Sequence, residues 1–72
     1  MNKELINKSV DVLIKLHNIT ADVLEMKDYL LPASTVENIE NLIELDDEEA
    51  LKKFIKITEI YIENLRNYHV TE

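Results

Sequence analysis

Hydrophobic and polar positions follow a helical period along nearly the whole chain. In the first third, Leu5, Ile6, Val10, Leu13, Ile14 and His17 recur at three- and four-residue spacing. That spacing predicts one buried stripe on a helix over about residues 3–17. Asn18 then suits a left-handed C-cap, the usual substitute for Gly. Thr20 reads as an N-cap, with Asp22 in the next turn where the helix dipole favours an acid. It opens a second helix over 21–29 that buries Val23, Leu24 and Met26. Pro32 excludes helix and biases Leu31 towards an extended backbone. A third helix over 35–43 starts at a Ser34 or Thr35 cap and turns Val36, Ile39, Leu42 and Ile43 inward. Glu37 sits close to the capping-box position. Asp46 or Asp47 caps a last helix that runs to about Tyr68.

That last helix carries two apolar stripes. Leu51, Ile55, Thr58, Ile62 and Leu65 form one; Phe54, Ile57, Tyr61 and Tyr68 form the other. A small domain needs one stripe for its core, which leaves the second as a partner surface. Phe54, early in the helix, reads as core. The expectation is therefore an all-α fold of four to five short helices, one domain over residues 1–72. The chain has no Gly, one Pro and no Cys. This composition fits helices joined by tight turns, and it excludes disulfides and thiol chemistry. A chain this short buries only about 60% of its unfolded surface, so its core is marginal.

Charge changes the picture through its placement. Of the net charge of −7, the segment from Asp28 to Leu51 holds eight acids and no Lys or Arg. The rest of the chain is close to neutral. Such a field repels phosphate and attracts basic surfaces. No apolar run reaches the roughly 18–20 residues of a membrane span, and the N-terminus shows no signal-peptide h-region. Cytoplasmic localisation is the expectation.

The order of elements, with Ile19–Thr20 ahead of the second helix and Ser34, Thr35, Val36, Ile39, Glu40 and Asn41 across the third, resembles the helix-turn-helix domain of the lambda-repressor and Cro superfamily in degenerate form. The resemblance covers about residues 5–57. The chain departs from the family at Glu25, where a small residue is usual. It departs again in the turn DYLLPAS, which is slightly longer and holds Pro32 where the family usually has Gly. The Arg, Gln and Lys residues that normally read bases are missing from the third helix.

In acidity, size and pattern the chain looks like the antirepressors of lactococcal temperate phages. That likeness implies binding to the N-terminal, DNA-binding domain of a CI-type repressor, blocking its operator and favouring the lytic cycle. The alternatives are a Cro-like DNA-binding repressor, or a small acidic inhibitor of the antitoxin or immunity type.

DNA readout needs cations at phosphates and Arg, Lys, Asn or Gln in the groove. The third helix offers Asn38 and Asn41 between Glu37, Glu40 and Glu44. The expectation is no tight DNA binding by the chain alone, even though Lys52, Lys53 and Lys56 cluster on the last helix. Partner binding is expected at Tyr29, Glu37, Glu40, Asn41, Glu44, Tyr61 and Tyr68. The acids would steer a basic partner and the aromatics would anchor it. The protein is expected to be a monomer or weak dimer. No phosphate loop, nucleophile–base pair or carboxylate pair marks an enzyme, and no cofactor is implied. His17 and His69 are far apart in sequence and mark no metal site. His17 reads as a contact with a helix end, and His69 as part of a frayed tail.

Overall fold

The computed structural model describes residues 2–71, with side chains described as far as residue 68. The described residues form three helices: α1 (Lys3–Leu24), α2 (Ala33–Glu44) and α3 (Glu48–Thr71). The fold is all-helical, with three helices in place of the expected four to five.

The missing boundary is the one expected at Asn18 and Thr20. Both residues lie inside α1. Residues 16–24 contain no Gly or Pro, so nothing forces the backbone out of helix there. The apolar phase also runs straight through. Leu5, Ser9 and Val12 are buried, and Leu16, Ile19 and Val23 are half-buried. These six positions alternate four- and three-residue steps from the first turn to the last. A cap at Thr20 would forfeit backbone bonds and break that stripe, so propensity for a local cap loses to packing.

α1 stops at Glu25 instead. Glu25 adopts φ 54° and ψ 39°. The Met26 amide donates to the Ala21 carbonyl at 3.0 Å, and the Glu25 amide to the Asp22 carbonyl at 3.2 Å. This is a Schellman closure built without Gly. The expected helix over 21–29 is thus the end of α1 followed by a connection through Pro32. Leu24 and Met26, expected inside, are exposed.

α2 begins at Ala33, earlier than the Ser34 or Thr35 cap would place it, and no side chain caps it. Its end repeats the device at Asp46, with φ 55°. The Asp47 amide donates to the Leu42 carbonyl at 3.0 Å, and the Asp46 amide to the Ile43 carbonyl at 3.1 Å. Asp47 then caps α3 as expected, its carboxylate accepting from the Ala50 amide at 3.1 Å.

α1 and α3 run side by side in the same direction. The backbone N–H of Asn2 donates to the Glu48 carboxylate at 3.4 Å, which ties the two starts together. Leu5 with Lys52, and Val12 and Lys15 with Ile55 and Glu59, line one groove further along. α2 returns from the end of α1 to the start of α3 and packs against both. The core is Leu5, Val12, Ile39, Leu51, Ile55 and Ile62, with Leu13, Leu16, Ile19, Leu42, Ile43 and Phe54 packed against it. Ser9 is fully buried, and its hydroxyl donates to the Ile6 carbonyl at 2.6 Å.

At 1.5 Å per residue, α1 and α3 are about 33 and 36 Å long, and α2 about 18 Å. α2 therefore covers only part of the pair. The molecule is correspondingly elongated, 40 × 22 × 16 Å, with a radius of gyration of 13.0 Å. A compact chain of this length would have a radius near about 11 Å.

Candidate protein-docking surface

The first-helix stripe expected to be core is only partly core. Leu5 is buried and Ile6, Leu13 and His17 are half-buried, but Val10 is 46% and Ile14 54% exposed. The true stripe is rotated towards Ser9 and Val12. The small Ser9 takes a fully buried position, and the bulkier Val10 and Ile14 turn out. They meet Val36 from α2, also expected inside and in fact exposed, and Leu31 from the connection. With Leu13 and His17 they line an open apolar groove of about 260 Å³.

An acidic row starts beside Val36, the α2 residue of this groove. Helical phase sets Glu40 one turn beyond Val36, and Glu37 and Glu44 beside Glu40 in a single row on the outer flank of α2. All three are exposed, as is Asn41 at the crest of the helix. No Lys or Arg lies between Asp28 and Leu51 to offset them. Three carboxylates in a row present one sign of field along α2, starting beside the turn that carries Val36.

Tyr29 belongs to the same neighbourhood. It is half-buried. Its ring lies 5.8 Å from the His17 ring, centroid to centroid. His17 Nε2–H donates to the Tyr29 carbonyl at 2.6 Å; a carbonyl only accepts, which fixes the proton on that nitrogen. His17 lies two turns before the end of α1, so it is no helix-end group. It holds the connection down beside the groove. Sequence reasoning missed this role, because His17 and Tyr29 are joined only when α1 continues past Asn18.

Tyr61 and Tyr68 lie elsewhere, on α3. Both are exposed, with Ile57 and Ile60 beside them. Helical phase sets Tyr61 and Tyr68 in line with Phe54, which packs against the core as expected. The stripe Leu51, Ile55, Thr58 and Ile62 is buried and Leu65 half-buried, as expected. The seven partner candidates thus divide into two sets. Tyr29, Glu37, Glu40, Asn41 and Glu44 belong to the α1–α2 side, and Tyr61 and Tyr68 to α3.

Lys52 joins Lys8 and Lys15 along the groove between α1 and α3, away from α2, interleaved with Asp11 and Glu59. Alternating signs make a poor track for a phosphate backbone. Among the described residues, no group of three or more His, Asp or Glu could hold a metal ion. Among them, too, no helix is long and apolar enough to cross a membrane. The side chain of His69 lies outside the described residues. The chain matches no family model, no curated protein and no solved structure.

Proposed function

We propose that this protein is an acidic protein-binding regulator that docks a basic partner surface on its α1–α2 side. The partner class we propose is the DNA-binding domain of a CI-type repressor, so the protein acts as a phage antirepressor. In this reading α2 is the acidic helix presented to the partner. It occupies the repressor's DNA-contacting face and does not itself read DNA. There is no chemistry and no cofactor.

The observation that carries the proposal is the exposed row Glu37, Glu40 and Glu44, which starts next to Val36, the α2 residue of the groove it forms with Val10, Ile14 and Leu31. Charge sets the rate and orientation of encounter, and the apolar trough supplies area to bury. Calorimetric titration of the protein into the repressor domain tests it. Wild type binds, and Glu37→Lys with Glu40→Lys weakens binding and flattens its salt dependence. Unchanged affinity and salt slope in that variant would sink the steering role.

A second reading keeps the face and changes the partner: a small acidic inhibitor of a basic nuclease or toxin. It is favoured by the continuity of α1 through Asn18 and Thr20, which leaves no separate helix ahead of α2. A repressor domain that fails to bind, alongside a basic nuclease captured from the source cells and inhibited in vitro, would select it.

A further inference from the structure

We propose that the outward face of α3 pairs with the same face of a second copy of this chain, antiparallel, around a two-fold axis level with Thr58 and Glu59. This is independent of the α1–α2 surface assigned to the partner.

The face is set by spacing. Lys53, Ile57, Ile60 and Asn64 follow four-, three- and four-residue steps, the seam of a two-helix coil. All four are exposed, Ile57 at 66% and Ile60 at 55%. The core stripe Leu51, Ile55, Thr58 and Ile62 occupies the opposite side of the helix. The seam is therefore a second face and not the margin of the first. Two outward isoleucines are costly to leave in water, in a chain whose buried apolar core is Leu5, Val12, Ile39, Leu51, Ile55 and Ile62.

The charges choose the occupant. One edge of the seam carries Lys56 and, two turns on, Glu63. Both are exposed. Glu63 meets Arg66 at 3.6 Å on the side away from the seam, and its side chain stays 60% exposed. A two-fold axis places each patch against its own copy, so the surface must complement itself. The antiparallel register does so. It sets Ile57 against Ile60 of the partner subunit and Lys53 against Asn64 of the partner subunit, whose amide oxygen can accept from the ammonium. Along the edge it sets Lys56 against Glu63 of the partner subunit, once on each side of the axis. On the other edge Tyr61 meets the ring of Phe54 of the partner subunit. A parallel pairing would set Lys53 against Lys53 of the partner subunit within the seam. It would also part Lys56 from Glu63 of the partner subunit.

The test is sedimentation velocity over a concentration series, with circular dichroism confirming unchanged helicity in each variant. Wild type self-associates as a dimer. Lys56→Glu alone and Glu63→Lys alone each weaken self-association about tenfold, equivalent to about 1.4 kcal/mol shared by two symmetry-related pairs. An equimolar mixture of the two single variants associates as wild type does, because each supplies the charge the other now needs. The double variant Lys56→Glu with Glu63→Lys also recovers. Monomeric wild type across the series overturns the proposal. So do single variants that associate as wild type does, or a mixture no better than its components.

Discussion

His17 and Tyr29 fasten the connection between α1 and α2 to the side of α1, through a 2.6 Å bond from Nε2–H to the Tyr29 carbonyl and a tilted ring contact. The connection is otherwise short of anchors: Leu30, the residue next to Tyr29, is among the most exposed apolar side chains in the molecule. His17→Ala should lower stability by about 1–2 kcal/mol, the sum of one side-chain hydrogen bond and one aromatic contact. Urea unfolding measures the loss. Amide exchange should quicken in residues 25–32 while the α3 amides keep their relative protection.

Thr20 separates the observed continuous helix from a two-helix alternative. As an N-cap, Thr20→Ala would cost about 1 kcal/mol. Inside α1 the same change replaces a modest helix former with the best one, so it should be neutral or stabilising by about a few tenths of a kcal/mol. Thermal unfolding of this one variant distinguishes the two.

Two helices end on non-glycine residues in the left-handed region, Glu25 and Asp46. A residue with a Cβ is strained there by about 1–2 kcal/mol, while Gly loses more unfolded-chain entropy on folding. Glu25→Gly and Asp46→Gly should each raise stability by about 0.5–1 kcal/mol. Together they should be almost additive, because they close different helices. For a domain of this size, about 1 kcal/mol moves Tm by roughly 4–8 °C, which a thermal melt of each variant resolves.

Ser9 and Leu51 are the largest fully buried side chains among the described residues. Leu51→Ala should cost about 2–5 kcal/mol through lost burial and a cavity. Ser9→Leu should cost about 1–3 kcal/mol for the opposite reason, since it overpacks a fully buried position. Ser9→Ala should be far milder, because the hydroxyl serves only its own turn at Ile6. Chemical denaturation of the three variants side by side orders them.

The sequence makes some of this legible and hides the rest for physical reasons. The helical class, the buried α3 stripe and the Asp47 cap follow from period and capping chemistry, and they stand in the structure. The end of α1 does not follow. Asn18 and Thr20 are good caps in isolation, but a cap acts within one turn, and the stripe from Leu5 to Val23 is satisfied only by a helix that ignores it. The rotation of that stripe was hidden by Ser9, a polar residue at a core position, which made Val10 and Ile14 look like the inner face. The acidic row is visible as charge in the sequence. That it starts next to an apolar groove at Val36 is not visible, because the groove exists only once Val10 and Ile14 are known to face out.

The most direct test of the proposed function is a titration of this protein into the repressor's DNA-binding domain held on labelled operator, followed by fluorescence anisotropy, with a control lacking repressor. Antirepression predicts that anisotropy falls to the value of free DNA while the control stays flat. A rise in the control would mean that the chain binds DNA itself, as a Cro-like repressor does. No change in either arm would contradict the CI-type partner and leave the acidic face to a different basic protein.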